Sequence, residues 1–270
     1  MHDRVSINGL CFPGEDLPTI AGYWRELKPR RIGFPSTIMP ADLSVAKQII
    51  QEGPYQLDSV VYLLLTGRSL EASEEVWASE RAQLSKVIRD VAELGGQSVY
   101  LLTGGRGSLT WEAAAERFCA GVAPCVAEAK AAGLKVLIEP ATAFHADLHI
   151  AHTLRDTTLL AEMADIGVNI DIFACWTEAG LKAAIEHAAP RLHLVQVSDY
   201  VFEDRSLPCR AVPGDGAIPI RRIFDWLLSA GYSGGFDLEL IGPRIDAEGR
   251  VAACRRGAEH VSEILDSLGA

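Results

Sequence analysis

The sequence lacks what nucleic-acid binding requires. Its 25 Lys and Arg stand against 36 Asp and Glu, a formal net charge of -11, whereas neutralising phosphates takes an excess of clustered cations. The basic pairs Arg30-Arg31, Arg221-Arg222 and Arg255-Arg256 are scattered and read as solvated faces. No uninterrupted apolar run approaches the roughly 20 residues of a membrane span. Met1-His2-Asp3-Arg4 leads straight into the strand-like Val5-Ser6-Ile7 without the apolar core of a signal segment. Cysteine is present but unpaired in pattern: Cys11, Cys119, Cys125, Cys175, Cys209 and Cys254 include no C-x-x-C. That argues for reduced thiols in a cytosolic protein. The expectation is a soluble, cytoplasmic chain with neither nucleic acid nor membrane as partner.

What the 270 residues do contain is an alternation of short β-like runs and longer helical patterns, repeating roughly every 30 residues. Eight candidate strands are Val5–Leu10, Arg31–Pro35, Leu57–Leu65, Ser98–Thr103, Lys135–Pro140, Val168–Phe173, Leu192–Asp199 and Gly235–Ile241. Several are near-continuous apolar runs, as parallel strands covered on both faces should be. Between them, Ile220, Ile223, Phe224, Leu227 and Leu228 follow a helical stripe with Gly231 as its stop. Thr110 caps a helix beginning at Trp111, with a kink expected near Pro124. Thr177 is expected to cap a helix that Pro190 ends. Val251, Cys254, Ala258, Val261, Leu265 and Leu268 form the stripe of a last helix. Eight strand–helix units at this length predict a single α/β domain over residues 1–270, a (β/α)8 TIM barrel. An open doubly wound sheet would want a glycine-rich phosphate turn after the first strand, and Asn8-Gly9-Leu10-Cys11-Phe12-Pro13-Gly14 is not one.

Function in such barrels sits at the C-terminal strand ends. Four of these carry polar residues that a fold alone would not choose: Glu139 after Val136-Leu137-Ile138, Asp171 after Asn169-Ile170, Gln196 within Val195-Gln196-Val197, and Glu239 after Asp237-Leu238. A carboxylate in an apolar strand is costly unless paired or bound to a cation. Three converging on one mouth would repel one another, which a bound divalent ion resolves. The plainer alternative is that each meets an Arg or lies on the outer face.

Across Ala92 to Pro243 the chain resembles the xylose isomerase-like barrels, the sugar phosphate isomerase/epimerase and endonuclease-IV-related group. The residues that carry the resemblance are Ala92-Glu93-Leu94-Gly95-Gly96, Leu102-Thr103-Gly104-Gly105, Ile138-Glu139-Pro140, Asn169-Ile170-Asp171-Ile172-Phe173, Val195-Gln196-Val197-Ser198-Asp199, Arg210-Ala211-Val212-Pro213-Gly214-Asp215-Gly216 and Glu239-Leu240-Ile241-Gly242-Pro243. The resemblance implies Glu139, Asp171 and Glu239 as carboxylate metal ligands. Gln196 stands where most of the group has His; dehydroshikimate dehydratase-like lyases also use Gln there. An all-oxygen set shifts preference to Mn2+ or Mg2+ over Zn2+. The His that sugar epimerases often carry three residues after the strand-six Asp is absent, since that position is Ala174.

Further candidates carry two readings each. His145, after strand five, is a general acid or base, or an exposed loop histidine. Arg210 binds an oxygen-rich substrate, or pairs with Asp215 or Glu203. Arg106, in Thr103-Gly104-Gly105-Arg106-Gly107, lacks the remainder of a phosphate loop but lies where substrate would pass. Trp176 walls the pocket or packs. His149 and His152 are placed on the helix after strand five, and His193 is expected to face the helices. The expected function is a divalent-metal-dependent isomerase or epimerase of a small keto sugar or related polyhydroxy keto compound, working by enediolate chemistry. Glu139, Glu239 and His145 would be its catalytic groups, and Arg210, Arg106 and Trp176 would bind substrate. The alternative is a metal-dependent lyase or dehydratase on the same barrel, dehydroshikimate dehydratase-like or acting by β-elimination on a keto sugar or glycoside. A zinc phosphodiesterase would need more strand-end His than a chain of seven His supplies. The partner is a small polyhydroxylated molecule, and assembly of identical chains is allowed for.

Overall fold

The computed structural model describes residues 1–270, all of the chain. Eight parallel strands close into a barrel in sequence order: β1 Val5–Asn8, β2 Arg31–Pro35, β3 Gln56–Leu63, β4 Ser98–Leu102, β5 Lys135–Ile138, β6 Gly167–Asp171, β7 Leu192–Val197 and β8 Phe236–Leu238. Six helices cover the connections between them: α1 Leu17–Leu27, α2 Leu43–Glu52, α3 Glu74–Glu93, α4 Trp111–Ala131, α5 Leu154–Ala164 and, after β7, α8 Ile220–Ser229. The β6–β7 connection holds a short α6, Ile172–Cys175, and then α7, Leu181–Ala188; after β8 come α9, Pro243–Glu248, and α10, Arg250–Leu268. The (β/α)8 TIM barrel read from the periodicity is the fold.

Strand alternation divides the buried residues into two bodies. Outward residues such as Val5, Ile7, Ile32, Phe34, Val60, Val168 and Ile170 join the helices in one continuous core. Inside the barrel, Val61, Tyr100, Leu137 and Leu194 form a small separate cluster. Val61 is registered with Tyr100, and Tyr100 with Leu137. Two residues further on from Leu137 and Leu194 stand Glu139 and Gln196, so the period of two points both inward, one layer above this plug. Asp171 and Asp237 are each registered with Gln196, which sets them on the same inner face.

Most strands end earlier than the apolar runs suggest. Glu139 and Glu239 each lie one residue beyond a ladder, although the Glu239 amide still donates to the Val197 carbonyl at 3.2 Å. Thr110 caps α4 as expected, accepting from Ala113 N at 3.3 Å, and the helix runs on through Pro124. Gly231, two residues beyond the end of α8, has φ +89°. Two local expectations fail. Thr177 caps nothing, because α6 intervenes directly after β6 and the N-cap of α7 is Gly180, whose φ is +73°. His149 and His152 precede α5 rather than lie on it, since Thr153 caps that helix through Asp156 N at 3.0 Å. No helix is long and apolar enough to cross a membrane, and all six cysteines are free.

Helices α3 and α4 meet where Gly121 faces the indole of Trp77, and a Cβ there would come within 2.3 Å of the ring. Gly121→Val should therefore overpack this seam and cost about 1–3 kcal/mol. Urea denaturation followed by circular dichroism reads this out, and an unchanged midpoint would mean that the seam yields.

Candidate active site

Four consecutive strands, β5 to β8, deliver Glu139, Asp171, Gln196 and Glu239 to one side of the mouth. The first three are buried, and the Glu239 side chain is only 13% exposed. Asp171 caps α6 through Phe173 N at 3.0 Å. Each of its oxygens also accepts from Arg210, Oδ1 from Nη1 at 3.0 Å and Oδ2 from Nη2 at 2.7 Å. Arg210 Nη2 reaches Glu239 Oε1 at 3.0 Å as well, Nη1 donates to Ser198 Oγ at 3.0 Å, and the guanidinium stacks 4.8 Å from the Phe173 ring centre. Burial works against the charge on Arg210, but Asp171 and Glu239 offset it and the guanidinium is held more firmly protonated than usual. The pairing of Arg210 with Asp215 does not occur; Asp215 binds Arg256 instead.

An amide relay ties the remaining groups together. Asn169 Nδ2 donates to Glu139 Oε2 at 2.9 Å and to Gln196 Oε1 at 2.5 Å. Gln196 Nε2 donates to the Tyr100 hydroxyl at 3.1 Å and to Glu239 Oε2. Burial pushes the Glu139 carboxyl well above the ordinary range, and the charges of Glu239 and Asp171 push it further. Glu239 is also raised, by burial first, with Arg210 pulling the other way.

His149 is locked in one neutral tautomer. Its Nδ1 accepts from Thr103 N at 3.1 Å, so Nε2 carries the hydrogen given to the Glu139 carbonyl at 2.7 Å. Burial drives its pKa to about 3. It therefore positions the backbone of Glu139 and takes no part as a base. His145, half-buried in the turn Ala143–His145, is lowered by burial and by the charge of Arg210, which places it within electrostatic reach of the mouth. Trp176 lies on the rim beside Tyr200 and Phe202. Arg106 is exposed on the loop after β4, and no side-chain bond draws it to the carboxylates. His193 is exposed and lines a cleft at the opposite end of the barrel with Arg31, Gln56 and Tyr232.

Sequence reasoning passed over Tyr100, Asn169, Asp199 and Asp237. Asn169 and Asp237 sit two residues before Asp171 and Glu239, so strand periodicity was the available signal. Asp237 is wholly buried and bonded to Asn8 Nδ2 at 2.7 Å. Burial raises its pKa to about 7, against the pull of Ser6 and Asn8. Asp199 organises the long loop of residues 198–219. Its carboxylate accepts from Tyr200 N at 2.8 Å, Gly214 N at 3.0 Å, Gly216 N at 2.9 Å and Ile218 N at 3.0 Å, folding the segment that carries Arg210.

Glu139, Asp171 and Glu239 opposite Arg210 leave two formal negative charges in excess, the charge of one divalent ion, and their oxygens suit a hard cation. Gln196 would add its carbonyl oxygen after its amide turns over, since Oε1 now faces Asn169. The donor chemistry fits. With Arg210 bridging Asp171 and Glu239, no three His, Cys, Asp or Glu side chains converge as ligands.

The family model described as xylose isomerase-like TIM barrel matches residues 27–264. No curated protein matches the chain. Among solved structures, a protein of Sinorhizobium meliloti 1021 is similar with a TM-score of 0.84 at 21% identity, covering 97% of this chain and 98% of that one. An L-ribulose 3-epimerase is similar with a TM-score of 0.83 at 19% identity, over 99% and 96%. The IolI protein with a binding zinc atom has a TM-score of 0.83 at 12% identity, over 98% and 99%. At these identities the likeness is one of fold.

Arg210→Met should lower stability by about 3–5 kcal/mol, because it leaves buried carboxylates unpaired. Millimolar Mn2+ should restore part of the loss in a thermal melt, and an unaltered melt without metal would contradict the counter-ion role. Asp199→Ala should speed amide exchange across residues 200–218, measured by hydrogen–deuterium exchange, while leaving the strands protected.

Proposed function

The chain belongs to the xylose isomerase-like TIM barrel family, and from that premise we propose that it is a divalent-metal-dependent isomerase or epimerase of a small polyhydroxy keto compound. The observation that carries the reading is the pair Glu139 and Glu239. They reach the same mouth from the two ends of the β5–β8 arc, Glu139 accepting from Asn169 and Glu239 from Gln196. Two carboxylates fixed on either side of one small space can take a proton from a bound molecule and return one to it. Fold likeness to an L-ribulose 3-epimerase and a D-psicose 3-epimerase supports this class of chemistry.

Glu139, Asp171, Gln196 and Glu239 would hold Mn2+ or Mg2+. Bound there, the ion would supply positive charge to polarise neighbouring substrate oxygens and acidify the C–H beside them. Glu239 removes the proton from that carbon and Glu139 returns one, so the two glutamates together invert a centre or shift a carbonyl. Arg210 holds Asp171 and orients Glu239, and Asn169 fixes where Glu139 points. The barrel plug beneath excludes water from below.

A lyase outcome on the same groups is favoured by one local fact. Ala174 leaves the strand-six loop without a histidine, while His145 stands near the mouth. With a β-substituent on the substrate, Glu239 takes the α-proton, the C–O bond breaks, and His145 in its imidazolium form gives its proton to the departing oxygen, an outcome that gains as pH falls.

Elemental analysis of gently purified protein should find close to one equivalent of manganese or magnesium. In heavy water with Mn2+, a panel of D-fructose, D-tagatose and L-ribulose should include one sugar that gains deuterium next to its carbonyl, detected by NMR. Glu239→Gln should slow that exchange by roughly 10²–10⁴-fold; exchange at the wild-type rate would remove Glu239 from the base role.

A further inference from the structure

Phe144 and Phe202 are the two aromatic side chains the protein leaves largely in water, 82% and 68% exposed. Both stand at the catalytic end of the barrel. Phe144 lies in the turn Ala143–His145 after β5, and Phe202 lies in the 198–219 loop after β7. The β6 loop between them contributes Phe173 and Trp176. The rings adjoin in sequence: Phe173 to Tyr200 at 6.1 Å between centroids, Tyr200 to Trp176 at 6.3 Å, and Trp176 to Phe202 at 6.4 Å. This arc stands over the three adjacent strands that carry Glu139, Asp171 and Gln196.

The arc is continuous with the active site and held in place. Its inner member, Phe173, stacks on the Arg210 guanidinium. Tyr200 is fixed at its hydroxyl, which accepts from Arg205 and donates to the Asp204 carbonyl at 2.9 Å, and Asp204 in turn accepts from Arg244 Nε at 2.8 Å. A ring left in water forgoes the gain that burial brings. Beside a polar site, fixed aromatic faces are surfaces on which a ligand ring can lie.

The donors below are already engaged. Each terminal nitrogen of Arg210 makes two polar contacts, Nη1 with Asp171 and Ser198 and Nη2 with Asp171 and Glu239, which leaves the guanidinium no free terminal N–H for a substrate phosphate. A small free sugar would descend to the buried glutamates and leave the outer rings uncovered.

We propose that the substrate is a neutral glycoside, a keto-sugar unit reaching Glu139 and Glu239 with a second ring, aryl or sugar, resting on the Trp176–Phe202 face, with Phe144 on the loop after β5 beside it. The proposal rests on the keto-sugar reading above and narrows its substrate class.

Phenyl β-D-glucopyranoside and methyl β-D-glucopyranoside test it as binding probes, titrated by calorimetry against the Mn2+-supplemented wild type and the double variant Phe144→Ser, Phe202→Ser. Both substituted residues are exposed, so the fold and the metal affinity should be unchanged. The wild type should bind the phenyl glycoside about tenfold more tightly than the methyl one, and the double variant should lose that preference. Equal affinities in the wild type, no binding of the phenyl glycoside, or a preference that survives in the double variant would each overturn the proposal. So would a dimer in analytical ultracentrifugation that the double variant dissolves, with the phenyl preference intact, because the rings would then face a second copy of the chain. Glu239→Gln should keep the preference. A ring preference without any deuterium exchange of keto sugars would therefore strike the chemistry alone, and exchange without a ring preference would strike the rim alone.

Discussion

Three carboxylates sit within one water-poor mouth, and the guanidinium of Arg210 makes that arrangement tolerable. Asp171 meets it with both oxygens and Glu239 with one. Without it, desolvation and mutual repulsion would drive these groups to take up protons or force the loops apart. Arg210 is presented by the 198–219 loop, which the buried Asp199 carboxylate folds through four backbone amides. The electrostatics of strands β5 to β8 therefore depend on a loop, and that loop depends on a carboxylate that lies outside the strand-end cluster.

The barrel interior is correspondingly uneven. On the β3–β7 side it is filled by Val61, Tyr100, Leu137 and Leu194, an apolar plug on which Glu139 and Gln196 stand. On the β8–β1–β3 side it is lined by Asp237, Ser6, Asn8 and Ser59, all fully buried, and the Ser6 and Ser59 hydroxyls have no partner among the protein's own groups. Tyr100 belongs to both worlds: its ring completes the plug and its hydroxyl accepts from Gln196. Dispersion and burial thus set the height of the site, while hydrogen bonds set its orientation.

The fold was legible because a (β/α)8 barrel repeats one pattern eight times, and a boundary error in any one unit leaves the rest intact. The four strand-end residues were legible for a related reason, since a polar side chain at the end of an apolar run contradicts its surroundings. Asn169 and Asp237 obey the same periodicity but were overshadowed by the carboxylates two residues on. Contacts across long separations left no such trace. Arg210 and Asp171 are 39 residues apart, and nothing local says that this arginine rather than Arg106 turns inward. Thr177 failed as a cap because capping chemistry is local while the start of α7 is set by the intervening α6.

The chemistry-bearing side chains hang on strand ends, and the aromatic arc hangs on the loops after β5, β6 and β7. A strand cannot lengthen or shift without disturbing its two neighbours, whereas a loop answers only to its own anchors. Phe144, Trp176 and Phe202 can therefore be exchanged for other surfaces without moving the carboxylates. Ladder and loop divide the labour: one holds a set of charges in register, and the other is free to alter the surface beside them.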